Sequence, residues 1–122
     1  MKTQSLVKLA CGLTVAAAFV LSPPAYSSVD AGKATFNDSC ANCHGIAGAG
    51  NPAQDTFWKV KIPRLNADYV QKKSDDELRD VILNGKKKMP PAVQGQPHGA
   101  TSKIRPEQVP DLIEYIRTLK KK

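Results

Sequence analysis

The stretch that most constrains this chain is Cys40-Ala41-Asn42-Cys43-His44. Two closely spaced thiols followed at once by an imidazole read as a covalent haem site. Each thiol adds to one vinyl group of the macrocycle, and the histidine becomes an axial iron ligand. A chain carrying such a site has to hold both thiols on one helix face and wrap a large flat apolar group.

The compartment limits what else the cysteines could do. Lys2 and Lys8 make a basic start, Leu9 to Leu21 is uncharged and mostly apolar, and Pro23-Pro24 interrupts the run before Ala25-Tyr26-Ser27. This is the pattern of a cleaved signal peptide over residues 1–27, with the cut near Ser27, a periplasmic location and a mature domain over 28–122. The apolar run is short of the roughly 20 residues that span a bilayer. Cys11 lies within it behind Lys8-Leu9-Ala10, a poor lead-in for acylation. Cys40 and Cys43 are then the only cysteines left, and in an oxidising compartment a bare pair would tend to close as a disulfide. Haem attachment removes that fate. A single domain of this length is also thin for a self-sufficient core, and a buried haem supplies both covalent links and apolar surface.

Without Lys2 and Lys8, 16 basic residues face 11 acidic ones, a net charge of about +5 before the haem propionates. Such a balance suits acidic redox protein partners or peripheral association with an anionic membrane surface. No nucleic-acid partner is expected, because no basic-aromatic module accompanies the charge.

The mature chain reads as helical. Asp30 can cap a helix to about Cys40, with Gly32, Phe36, Cys40 and Cys43 close to one face. Gly32 costs that helix about 1 kcal/mol relative to Ala, which suggests a close helix contact there. Residues 45–52 contain three glycines and Pro52 and read as loop. Trp58 is expected in the core, with its N–H available to a haem propionate. Proline keeps Ile62-Pro63 extended, and Asn66 is placed as the cap of a short turn to Lys72. Ser74-Asp75-Asp76-Glu77 is a capping-box signature, Leu78, Val81 and Ile82 form the stripe behind it, and Asn84-Gly85 ends that helix. Val109, Leu112, Ile113, Ile116 and Leu119 mark an amphipathic last helix, with Pro106 or Pro110 in its first turn. No confident strand or internal repeat is present.

Met89 is the only methionine of the mature chain, set between Lys86-Lys87-Lys88 and Pro90-Pro91. Most methionines fill gaps in cores, but an irregular segment of this kind is where a thioether could reach an iron. His98, in the polar loop from Gln94 to Arg105, is the competing distal ligand. Zinc would need Cys40, Cys43, His44 and the distant His98, without the usual histidine spacing. A dithiol redox site expects a strand before it and a βαβ unit around it. The haem reading accounts for the thiols, the adjoining histidine, the methionine and the small core together.

On these residues the chain resembles the class I c-type cytochromes of the small bacterial single-haem kind. The matching features are Gly32 and Phe36, Cys40 to Gly45, Pro63-x-Leu65, the Glu77-Leu78 to Asn84-Gly85 helix, Met89-Pro90 and Tyr115-Ile116. The resemblance implies an all-α cytochrome c fold around one covalently attached haem c, with crossing N- and C-terminal helices and Gly32 and Phe36 near Tyr115. It implies that Cys40 and Cys43 hold the haem, that His44 and Met89 are its axial iron ligands, and that the Pro63 carbonyl accepts from His44 Nδ1. The stretch from Gly48 to Lys61 is longer than the compact loop of many relatives, which makes Pro52 a rival for that carbonyl role.

With both axial positions filled, no small-molecule substrate reaches the iron, and the expected function is a monomeric one-electron carrier, not an enzyme. Lys86, Lys87 and Lys88 beside Met89 could steer an acidic partner. The alternatives are a haem subunit of a dehydrogenase complex, or a peroxidase or gas sensor in which Met89 is displaced.

Overall fold

The computed structural model describes residues 28–94 and 103–121. Among the described residues six α-helices follow one another: α1 Ser28–Ser39, α2 Ala41–His44, α3 Pro52–Trp58, α4 Asp68–Gln71, α5 Asp75–Asn84 and α6 Val109–Thr118. Short 3₁₀ turns occupy Ile46–Gly48 and Pro106–Gln108. Among the described residues no strand forms; only isolated bridges join Lys86 to Met89 and Val93 to Ile104. The signal-peptide expectation and His98 lie outside the described residues.

The first and last helices meet where the sequence places a glycine. A Cβ at Gly32 would stand 1.9 Å from the Asp111 carbonyl oxygen and 2.9 Å from Tyr115 Cβ, so no other residue permits this approach of the backbones. One turn on, Phe36 is fully buried and its ring lies 5.3 Å from that of Tyr115 at 54°. Tilted aromatic pairs of this kind add about 0.5–1.5 kcal/mol to the area they bury. Asp30 does not cap α1 as expected. It lies inside the first turn, where its charge still favours the positive end of the helix.

The core is one cluster built from Phe36, Leu78, Ile82, Val109, Leu112, Ile113, Tyr115 and Ile116, joined by Val70 and by Val93 and Ile104 from the connecting segments. Ser74 Oγ accepts from Glu77 N at 3.1 Å, and the Glu77 carboxylate accepts from Ser74 N at 2.8 Å. The capping box expected at the head of α5 is thus complete. Both prolines at the C-terminal helix are used, Pro106 opening the 3₁₀ turn and Pro110 lying in the first turn of α6.

Two side chains tie the short α4 segment to α6. Gln71 Nε2 donates to the carbonyls of Leu65 and Ile116, at 2.7 and 2.9 Å. Arg117 donates to the carbonyls of Gln71 and Lys73 and to the Asp75 carboxylate, at 2.6–3.0 Å. The cap of α4 is Ala67, not Asn66. Ala67 N bonds Arg64 O at 3.1 Å, so Asn66 is consumed inside the turn before the helix.

Residues 45–52 are less irregular than expected. Ile46–Gly48 closes a 3₁₀ turn, and Pro52 begins α3, a helix that no hydrophobic period announces. Asn51 supplies its cap, its Oδ1 accepting from Ala53 N at 3.2 Å while Pro52 occupies the first turn.

Candidate haem site

The break between α1 and α2 places the two thiols. The Cys40 amide still bonds back to Phe36 at 2.8 Å, and the Cys40 carbonyl accepts from the amides of Cys43 and His44 at 3.2 and 3.0 Å. One tight turn therefore carries Cys40, Cys43 and His44 together. Neither cysteine is in a disulfide. Burial, helped by the neighbouring Cys43, pushes the Cys40 thiol up to about 12. A dithiol oxidoreductase needs the opposite, a thiolate favoured by its surroundings.

His44 is 8% exposed. Its Nδ1 donates to the carbonyl of Pro63 at 3.0 Å, which fixes the tautomer and leaves Nε2 with its lone pair. Burial draws its pKa below the usual value; the bond to Pro63 pulls the other way, and the nearby Arg64 cation lowers it again. The side chain is thus held as the neutral imidazole that a metal requires. Pro52, the rival carbonyl, accepts from Thr56 Oγ1 at 3.0 Å within its own helix.

Met89 arrives by a tight loop. Lys86 and Met89 exchange backbone hydrogen bonds of 2.9 and 3.0 Å, with Lys87 in the left-handed region at φ 56°. Gly85, at φ 73°, passes under the chain so closely that a Cβ there would lie 2.5 Å from the Met89 carbonyl oxygen. Pro90 and Pro91 follow, and Ala92 N bonds Ile82 O at 2.9 Å, returning the chain to α5. The loop brings Met89 to the edge of an open cleft of about 300 Å³ whose lining includes Cys40, Cys43, His44, Met89, Pro90 and Pro91.

Trp58 does not take the place expected for it. It is 43% exposed, outside the core, and does not line the cleft. Its indole N–H donates to Gln54 Oε1 at 3.1 Å, one helical turn back, and its ring meets that of Phe57 edge-on at 5.1 Å. A partner at i−4 is always within reach on a helix, and here it takes the donor.

The donor set fits a covalently held haem. Two unpaired thiols, an imidazole with its free nitrogen and an uncharged thioether share one cleft with two prolines. Among the described residues, no group of three or more His, Cys, Asp or Glu side chains gathers as a metal site of the zinc kind. An all-α shell whose cleft gathers these donors is of the class that could hold a haem between its helices.

Comparison with known proteins carries this further. Residues 29–120 match the family model described as Cytochrome c, and the chain belongs to that family. Over 90 residues it is 29% identical to a cytochrome c-553-like protein of Synechocystis sp., a match covering 74% of this chain and 68% of that relative. It is a small class I c-type cytochrome, an electron-carrying haem protein whose cofactor is haem c.

Proposed function

We propose that this chain is a periplasmic one-electron carrier in which His44 and Met89 are the axial ligands and Cys40 and Cys43 the covalent anchors of a single haem c. The haem, when bound, takes up and gives back one electron at its iron. The observation that carries the reading is the shared cleft: Met89, delivered by a loop after α5, lines the same space as the Cys40–His44 turn. His44 Nε2 is the donor on one side, held in register by the bond from Nδ1 to Pro63. Met89 offers a neutral sulfur, and methionine ligation sets a higher potential than two nitrogens do. Filling both positions leaves no open place for a substrate, so no bond-making chemistry follows.

The charge around Met89 supports docking to an acidic protein. Lys86, Lys87 and Lys88 are all exposed, and the last two sit at the turn of the hairpin that presents Met89. Exposed charges of this kind steer encounter more than they add affinity. The reading is tested by mixing the reduced protein with a negatively charged one-electron acceptor and following reoxidation against ionic strength. A rate that falls steeply with salt is expected. Rapid binding of carbon monoxide or peroxide by the unmodified protein at neutral pH would replace the carrier with a sensor or peroxidase.

A further inference from the structure

Asp55 and Arg64 form a latch around the carbonyl that holds His44. Arg64 NH2 donates to Asp55 Oδ2 at 2.6 Å and Arg64 NH1 to Asp55 Oδ1 at 3.1 Å, a two-pronged pair. Asp55 Oδ1 also accepts from the Ile62 amide at 2.8 Å, and Arg64 NH1 donates to the Ile62 carbonyl at 2.9 Å. Both peptide groups of Ile62 are thereby tied to the pair. On the other side of Pro63, Leu65 N bonds Gly48 O at 2.9 Å.

The latch is itself braced. The Arg64 side chain lies flat against Gly50, where a Cβ would come within 2.0 Å of its Nε. Gly50 N in turn bonds the carbonyl of His44 at 2.7 Å. Asp55 stands in the first turn of α3, the segment that the longer connection between Gly48 and Lys61 provides. Pro63 has no N–H of its own to donate, so the segment that carries its carbonyl is held through Ile62 on one side and Leu65 on the other.

We infer that Asp55 and Arg64 are positioning residues for the axial histidine: together they fix the Pro63 carbonyl that orients His44, and Asp55 neutralises the guanidinium beside it. The inference rests on the reading of His44 as an iron ligand. A histidine whose second nitrogen donates to a fixed acceptor is a stronger electron donor, and losing such a partner typically costs about 10–100-fold in metal affinity or activity. Asp55→Asn releases the carbonyl and leaves Arg64 uncompensated. Both changes disfavour the ferric state, so the balance shifts toward reduced and the potential rises, each tenfold shift reading as about 59 mV for one electron. Arg64→Gln also releases the carbonyl but removes the cation, and these effects oppose one another. Its potential moves much less, while the His44 Nδ1–H loses protection as it does in Asp55→Asn.

The experiment uses the haem-loaded protein with ¹⁵N-labelled histidine, reading the His44 ring resonances, the solvent exchange of Nδ1–H and the potential. Paramagnetically shifted His44 resonances in the unmodified ferric protein establish ligation first; their absence would strike at the ligand assignment, separately from the latch. Faster Nδ1–H exchange in both variants, with a raised potential only in Asp55→Asn, is the expected result. Lower melting temperatures with unchanged exchange and potential would overturn the inference, since a merely structural pair moves only stability. If Asp55→Asn does not accumulate, Arg64→Lys serves in its place. It keeps the charge but not the fork, and should speed exchange and raise the potential by less than Asp55→Asn does; unchanged exchange there would equally overturn the latch.

Discussion

The two sides of the proposed iron site are built by different means. His44 ends the short helix α2 that follows α1 directly, is buried, and is tied through Pro63 to a braced segment. Met89 hangs from a lysine-rich hairpin and is half-buried, with backbone bonds of its own only to Lys86. One side is over-determined by helix packing and a charge-assisted pair. The other depends on Gly85, two prolines and the return of Ala92 to Ile82. Local stability follows the density of such contacts, so the Met89 side should open first and at lower cost.

The largest expected effect comes from removing the anchors. Cys40→Ser with Cys43→Ser should abolish covalently bound haem, read as loss of haem staining on a denaturing gel, and should leave a chain too small to fold firmly without it. Gly32→Ala comes next. Its Cβ meets backbone, not a flexible side chain, so the helices must separate. A loss of about 3 kcal/mol is expected, lowering the melting temperature by roughly 10–20 °C, with both sides of the site failing together. Gly85→Ala should separate the sides. Strain at φ 73° and the clash with the Met89 carbonyl cost about 1–3 kcal/mol locally, so sulfur ligation weakens while the His44 side remains.

Acid should probe the His44 side through its latch. The hydrogen bonds from Arg64, then from the Ile62 amide, hold the Asp55 carboxyl below its ordinary range. A group depressed in the folded state stabilises the fold above its unfolded value of about 4, and that contribution is lost as pH falls through the folded value. Arg64→Gln should therefore flatten the acid limb of a melting-temperature profile below about pH 4. A limb of unchanged slope would mean that Asp55 contributes nothing there. The smallest structural effect is expected from Lys86, Lys87 and Lys88 all changed to Gln. Stability should move by no more than about 0.5 kcal/mol, while the salt dependence of electron exchange should weaken clearly.

The helices that position His44 were largely legible in the chain, because local signals agree with the packing. Gly32 marks the contact with α6, the Ser74 and Glu77 pair starts α5, and the stripe from Val109 to Ile116 is the face that α6 buries. What was not legible depends on partners distant in sequence or on turn geometry. Asp55 and Arg64 are nine residues apart in a stretch without a period, so nothing local couples them. The α3 helix rests on the Asn51 cap and Pro52 with no buried residue of its own, so hydrophobic periodicity could not reveal it. Trp58 was misplaced because size alone suggested burial, whereas Gln54 satisfies its N–H at the surface. Arg117 closes α6 onto Gln71, Lys73 and Asp75, partners more than forty residues away that no local signal couples to it.

The visible spectrum of the oxidised, haem-loaded protein, recorded for the unmodified chain and for Met89→Ala and His98→Ala, probes the iron site most directly. The weak far-red charge-transfer band of sulfur ligation should be present in the unmodified protein and in His98→Ala, and should vanish in Met89→Ala while the reduced c-type spectrum persists. A band that survives in Met89→Ala but disappears in His98→Ala would contradict the assignment of Met89 as the distal ligand.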